Sequence, residues 1–595
     1  MSNYLIIISK KPFLKRIEAW INSAMSDVSE IAQARISEDT NLLYIAKNAH
    51  DDFNGVRRSL FKGMGVSYRE EAVFFGEKGR SEFYERFSRA NLAKEPVEGC
   101  YVSMTWDEHR AIVSNDTFAM CSMLYFAEKG VIAVSDSLFM LANLRQALNL
   151  PRSLNDEVAI ARSWGNTMAG QLLSADTLID QIKYIQVGGK LQIEYGDDLN
   201  ATVSRRTVND FFYSPMGVSY AETIKESVRR IASLTHTLSA ISVNTVRIAL
   251  SGGTDSRVIL ACALASPAVR DLAIFNCTNT TPAHKKDYDV VSNLSARFNF
   301  PLGLRDPNIK RKDKDKVTNP FSLWLLGNAG IYDFLASSTF SLKPIGIFSF
   351  GGFGAEVYKG MYGWRAVARI GNHIKSHDVR DAFIAQAQKG LRALGVAPND
   401  KTGSEWHYLA FRNAIHAGRS TLSAMTGLRP LMQRELVGLT RSELNPFPTP
   451  AKGDRSIVTD MLIAANPDLA VCPFESSEKN MASDYVEERS TFLGGGLTSD
   501  DLSEYQIFGS VDEVANGAPK FFYNRAEKFC SRTMTHDDIS KTMKEGFSRI
   551  SSESIKAAYH AGFLDAESAL SVSTSPLTHA KSYPGKLISF LLVDD

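Results

Sequence analysis

At 595 residues, 44% hydrophobic and 22% charged, the chain is longer than one hydrophobic core ordinarily organises, so two or more domains are expected and neither a disordered nor a fibrous class fits. Lys+Arg 67 against Asp+Glu 66 leaves a formal charge of +1, with no global electrostatic footprint for nucleic acid or an anionic membrane. Six cysteines (Cys100, Cys121, Cys262, Cys277, Cys472, Cys530) have no short paired spacing, which argues against a zinc site or a disulfide framework.

In chain order, the apolar stretch 4–8 is ended by Ser9-Lys10-Lys11, too soon for a signal peptide or a span, and a cytoplasmic location is expected. Up to about residue 210, short apolar runs at 42–46, 99–104, 130–134 and 190–194 are separated by turn residues, with helices expected near 11–24 and 138–148; the pattern is an α+β sandwich. After about residue 220 the period changes. Ile224, Val228, Ile231 and Leu234 mark a helix over 221–238, followed by a β-rich run at 246–250, a glycine turn, a helix at 258–264, a strand at 271–276, and a helix on which Val290, Val291, Leu294 and Phe298 share a face. Strand, helix, strand, helix implies an α/β fold with a parallel doubly wound sheet. Residues beyond about 380 read as mostly helical, and 587–593 as a final strand or helical turn, too short to cross a bilayer. The segments are 1–210, 211–500 and a C-terminal extension, 501–595.

The glycine turn is Ser251-Gly252-Gly253-Thr254-Asp255-Ser256. It falls where a parallel sheet binds ligands, at the carboxyl end of a strand. Two glycines admit close approach of an anion, the next helix presents free amides, and the serines add hydroxyls. Asp255 would repel phosphate unless Mg²⁺ bridges them. No lysine follows, so this is not a Gly-x-x-x-x-Gly-Lys loop; the bland alternative is a turn before a buried helix.

This loop resembles the signature of the asparagine synthetase B group, and within it the β-lactam synthetases, the tabtoxin type among them. Gly352-Phe353-Gly354-Ala355-Glu356 looks like the family's second glycine loop, and Lys479 stands where the family has a lysine that steadies acylation. Segments 98–107, 114–116, 133–136 and 182–191 resemble its first domain, so the likeness spans most of 1–495. The resemblance implies a glutaminase-like (Ntn-type) αββα sandwich and an ATP-pyrophosphatase domain that uses ATP and Mg²⁺. It further implies nucleotide contacts at Leu250, Ser251, Gly252, Gly253, Asp255, Ser256, Phe275 and Gly352, metal ligation by Asp255 and Glu356, and catalysis by Lys479.

Departures shape the expected chemistry. The chain begins Met1-Ser2-Asn3, without the family's nucleophilic cysteine or a glutamine-holding loop, so no glutaminase activity is expected and the amine must come from the substrate. Holding amine and acyl-adenylate in one pocket supplies an effective molarity of roughly 10⁵ M or more. The family's tyrosine and glutamate pair falls on Phe353 and Ala414, neither of which accepts a proton; His416 has the best-placed ordinary pKa for a base, with Tyr358, Tyr362 and Glu405 nearby. Arg257 could contact pyrophosphate or be salt-bridged at the helix start, and the basic run 310–316 could close over phosphates or be a solvated loop. The expected activity is that of an AMP-forming amide ligase that closes a lactam in antibiotic-type biosynthesis. Its expected partner is a small amino-acid-like substrate with a carboxylate and an amine, with no nucleic acid and no membrane; a homodimer is left open. The alternatives are a lasso-peptide macrolactam cyclase, which would need a precursor peptide and a protease, and a silent binding protein on the same fold.

Overall fold

Residues 4–23, 30–47, 49, 58–88, 95–212, 219–241, 245–279, 282–303, 320–335, 347–418, 426–447, 455–513, 519–529, 534–572 and 582–594 are described by a computed structural model. Its first part is two stacked sheets, and period-two patterning explains the stacking. Along Ala72–Phe75, Val73 and Phe75 join the main core, whereas Ala72 and Phe74 join a smaller cluster with Phe61, Phe83 and Tyr101. A strand apolar on both faces is covered on both. The seven-stranded sheet runs Leu199–Arg205, Gly189–Tyr195, Arg110–Asn115, Glu98–Trp106, Ser59–Ser67, Ala72–Phe75, Gln506–Phe508 from edge to edge. The six-stranded sheet runs Lys183–Ile185, Met123–Glu128, Val131–Ser135, Tyr4–Lys10, Thr40–Ala46, Ile31–Arg35. Helices Lys11–Asn22 and Leu138–Ala147 pack on the six-stranded sheet and Gly76–Phe87 on the other, giving helix, sheet, sheet, helix.

Helix Tyr220–Ser239 opens the second part with a capping box, Ser219 and Glu222 each satisfying the other's backbone amide. Five parallel strands follow, ordered Leu302–Gly303, Ile274–Cys277, Thr245–Leu250, Ile347–Phe350, Thr426–Leu428. The strand expected at 271–276 is a correction: Pro267–Leu272 is helical and the strand is Ile274–Cys277. Ser266 accepts from the Val269 amide at 3.3 Å and Pro267 sits in the first turn, and this start signal overrides the apolar run. The two parts meet around a cavity of about 20 Å³ lined by Met64, Cys100, Phe118, Leu428, Arg429 and Met432, room for a single water.

The chain beyond residue 500 returns to the first part. Gln506–Phe508 pairs parallel with Ala72–Phe75, and helix Lys520–Phe529 sets Phe521 edge-on to Trp20 at 4.8 Å. Residues 587–592 fall in helix Tyr583–Ser589 and the turn Phe590–Leu592, with Val593 just past the turn, and all are buried. Among the described residues no helix is long and apolar enough to cross a membrane. Five cysteines are free and buried, and Cys530 lies outside the described residues.

The terminal helix is pinned by Lys586. Its ammonium, with no exposed surface, donates to the carbonyls of Trp164 at 3.0 Å, Ala169 at 2.7 Å and Arg162, and lies 3.6 Å from Asp333, which also pairs with Arg162. Removing one member of such a buried set costs about 3–5 kcal/mol. Lys586→Met is therefore expected to lower unfolding stability by about that much in urea titration, and a change below about 1 kcal/mol would show that the cluster does not hold the terminus.

Candidate active site

Read in chain order, the five parallel strands run third, second, first, fourth, fifth across the sheet, so the order reverses between Thr245–Leu250 and Ile347–Phe350. Such a reversal leaves a crevice at the carboxyl ends of the two strands. Both glycine loops emerge there, because Ile248 pairs with Phe350 and the strands end almost level. The loops touch: a Cβ on Gly352 would lie 2.6 Å from the Asp255 carbonyl carbon and 2.6 Å from the Ser256 amide nitrogen. No side chain larger than hydrogen fits at that position.

The first loop is shaped by its serines. The Ser256 hydroxyl accepts from the Ser251 amide at 3.0 Å and lies 3.0 Å from the Ser251 hydroxyl. Helix Thr254–Leu264 then begins at Gly253 with no capping side chain, so its first-turn amides lack an acceptor within the helix. The Gly252 amide donates to Asp287 Oδ1 at 2.9 Å, a carboxylate placed where an anion would sit. The Lys359 ammonium meets Asp255 Oδ1, an oxygen otherwise buried and without a hydrogen bond.

Glu356 accepts from the Gly354 amide at 2.9 Å. Its carboxyl is held above the ordinary glutamate range, first by burial and then by the charge of Asp255, with the Gly354 amide and Lys359 pulling the other way. Two carboxylates that repel across a crevice, one already facing a cation, suit a divalent ion. Among the described residues no group of three or more His, Cys, Asp or Glu could hold a metal ion, and an ion held by these two acids would need its remaining oxygens from phosphates and water.

Lys479 lies beside the loop rather than in it. Its ammonium pairs with Glu475, whose Cβ would be 2.7 Å from a Cβ on Gly252. The Phe474 amide donates to Asn480 Oδ1 at 2.8 Å, closing the turn that carries Glu475 and Lys479. Arg257 takes neither expected role. It is 1% exposed, donates to the carbonyls of Cys472 at 2.7 Å and Pro473 at 2.8 Å, and stacks on Phe474 with 3.5 Å from guanidinium to ring centroid; burial pushes its pKa down to about 10. Immediately after Ser256 in sequence, it ties the start of the loop's helix to the Lys479 turn.

His416, on helix Ala414–Gly418, stands edge-on to Phe353 at 5.0 Å, with Nδ1 3.4 Å from the Tyr332 hydroxyl. The structure therefore brings His416 to the second loop. The other base candidates have structural duties: Glu405 accepts from the Tyr362 amide at 2.8 Å and the Trp364 amide at 3.1 Å, Tyr358 donates to the Leu431 carbonyl, and the Tyr362 ring is buried. The Phe275 ring is fully buried against Phe300 at 4.7 Å, so what Phe275 offers a ligand is its backbone. Leu250, 7% exposed, likewise offers backbone only. Ser2 and the run 310–316 lie outside the described residues. Sequence reasoning missed Lys359, whose signal was its place one turn after Glu356, and Asp287, 35 residues from Gly252 with no local signal.

No protein-family model and no curated protein matches the chain. Among solved structures, it is similar to the allosteric regulatory enzyme of purine biosynthesis, at 8% identity and TM-score 0.20 over 64% of this chain and 78% of the other. It is also similar to glutamine phosphoribosylpyrophosphate amidotransferase from B. subtilis complexed with ADP and GMP, at 8% identity and TM-score 0.18 over 64% and 79%. Superpositions this loose carry no argument about fold or reaction.

Hydrogen bonds from a charged donor contribute about 1.5–3 kcal/mol each, so the Arg257 brace should govern local opening of the Lys479 turn. Arg257→Met is expected to speed amide hydrogen exchange over 472–480 by about tenfold or more while the core of helix Thr254–Leu264 keeps its protection. Unchanged exchange over 472–480 would show that the turn holds itself.

Proposed function

We propose that the protein is an ATP-dependent, AMP-forming amide synthetase that adenylates a carboxylate and passes the acyl group to an amine of the substrate, closing a lactam. The observation that carries this reading is the contact between the two glycine loops at the strand reversal, which sets Asp255 and Glu356 against each other beside free helix amides. The loop's resemblance to the pyrophosphatase-type nucleotide signature supplies the reaction class.

ATP enters as a substrate. A carboxylate oxygen attacks its α-phosphorus and pyrophosphate leaves; the amine nitrogen then attacks the acyl carbon, AMP leaves, and one proton must be removed. The amides of the 251–256 loop bind and orient the departing phosphates. Mg²⁺, when bound, would neutralise phosphate charge, with Asp255 and Glu356 as its protein ligands. Lys479 stabilises the negative charge that grows on the acyl oxygen and the leaving phosphate, once its pairing with Glu475 is exchanged for that charge. Phe353 and Ala414 cannot take the proton; His416 against Phe353 is the base this reading selects.

Two experiments test it. Asp255→Asn should abolish substrate-dependent pyrophosphate release at fixed Mg²⁺, and unchanged release would sink the assignment. Lys479→Met should lose about 10²- to 10³-fold in amide formation while ATP–pyrophosphate exchange largely survives; equal loss of both would make Lys479 a nucleotide-binding or folding residue.

A further inference from the structure

Strand Arg110–Asn115 ends beside the start of Gly189–Tyr195 and the end of Leu199–Arg205, and a cavity of about 310 Å³ opens there. None of its lining residues belongs to a glycine loop or to the Lys479 turn. Three of them are cations, Lys190, Arg205 and Arg206, and among the described residues no carboxylate pairs with any of the three. Lys183, a little earlier in the chain, shows the ordinary case, paired with Asp176 at 3.1 Å and Asp180 at 3.3 Å. The acid of the lining, Asp116, is already engaged. Its Oδ1 accepts from the Phe118 amide at 3.1 Å and the Met120 amide at 2.9 Å, and its Oδ2 from the Cys121 amide at 2.9 Å. The cavity therefore has a positive wall that no side chain answers, which is the field an anion seeks.

A hydroxyl faces the cavity as well. Ser114 is 5% exposed, yet no group among the described residues bonds to its hydroxyl. Leu191 pairs with Val113 and Lys190 with Ser204, so Ser114, Lys190 and Ser204 stand on one face of the sheet, opposite the fully buried Leu191 and Val113. All three line the cavity. A polar group so enclosed is costly unless a ligand or water completes its bonding. The wall beside it is fixed. Gly188, at φ +75°, accepts from the Arg206 amide at 3.2 Å; the Arg206 guanidinium donates to the Asp210 carbonyl at 3.0 Å and lies 5.3 Å from the Phe211 ring. Held in this way, Arg206 still has most of its N–H donors uncommitted.

We propose that this cavity binds a small phosphomonoester, a phosphorylated metabolite whose phosphate is taken by Lys190, Arg206 and the Ser114 hydroxyl. A phosphate monoester carries about −1.5 to −2 charges at neutral pH and three strong acceptor oxygens. It answers a lysine, an arginine fork and a hydroxyl together, where a single carboxylate would leave donors unused. Ligand sites ordinarily start at about 300 Å³, so the volume admits a carbon skeleton beyond the phosphate. Nothing in this inference rests on the synthetase reading. The cavity borders helix Val208–Phe212, the link between the two parts, whose Phe212 ring lies 5.5 Å from Phe118 and 6.0 Å from Trp406. An occupant therefore touches the connection itself.

The experiment uses the full chain and calorimetry at matched ionic strength. Glycerol 3-phosphate, ribose 5-phosphate and glucose 6-phosphate are each compared with the unphosphorylated parent and with inorganic phosphate. At least one ester should bind wild type about tenfold or more tightly than inorganic phosphate, with no binding of its parent. Lys190→Gln and Arg206→Gln should each weaken it by about tenfold or more and Ser114→Ala by about threefold or more, while Arg206→Lys loses less than Arg206→Gln. If Arg206→Gln melts more than about 4 °C below wild type, Lys190→Gln and Arg206→Lys decide the question in its place. Bound ester should also slow amide hydrogen exchange over 188–190 and 204–212. Failure of every ester to bind overturns the proposal. So does an affinity for inorganic phosphate equal to that of the best ester, which would mark a bare ion site. Binding that survives Lys190→Gln and Arg206→Gln, or protection confined to 251–256, overturns it by placing the phosphate in the first glycine loop. Capture of heparin or single-stranded RNA without any ester overturns it in favour of a macromolecular polyanion.

Discussion

The missing side chain at Gly352 is the constraint on which the candidate site depends. With Thr245–Leu250 and Ile347–Phe350 adjacent and in register, the two loops that follow have to share one space, and they do so only because one of them presents bare backbone to Asp255 and Ser256. That closeness puts two acids in mutual range, one of them paired with Lys359, and lets a side chain one residue past Ser256 reach the turn that bears Lys479. Steric necessity at one glycine thus propagates into the electrostatics of the whole crevice.

The groups of the crevice are paired with one another. Asp287 occupies the Gly252 amide, Lys359 faces Asp255, and Lys479 faces Glu475. Lys359 and Lys479 are 39% and 46% exposed, and pairs so open to water contribute about 0–1 kcal/mol, so these pairings are exchanged at small cost. The brace beside them, Arg257, is 1% exposed and holds the Lys479 turn through two carbonyls. A labile front on a fixed back keeps charges exchangeable while the backbone that carries them stays still.

What was legible in the sequence was local. The short apolar runs at 42–46 and 190–194 are strands, the helical period over 221–238 is a helix, and the glycine-serine loop sits between a strand and a helix, because each signal is complete within a few residues. The run 271–276 failed because Ser266 and Pro267, a cap and a helix-starting proline just upstream, outweighed apolar content. Arg257 was misread because nothing near it in sequence reveals Cys472 and Pro473, more than 200 residues on, as its acceptors. Phe275 shows the converse limit: its strand position was found, but side-chain direction depends on Phe300 beneath it.

The strand Gln506–Phe508 carries a consequence for how this molecule can be divided. It is the edge of a sheet whose other six strands all come from the first 205 residues, and it pairs parallel to Ala72–Phe75, so the connection that delivers it passes through the entire second part. Without it, Ala72–Phe75 would present an open row of amides and carbonyls flanked by Phe74 and Phe75, the kind of bare margin that recruits strands from other molecules. The first sandwich is therefore not a detachable module. It is finished only when ribosomal synthesis has gone some three hundred residues further, and until then the nascent chain carries an adhesive seam.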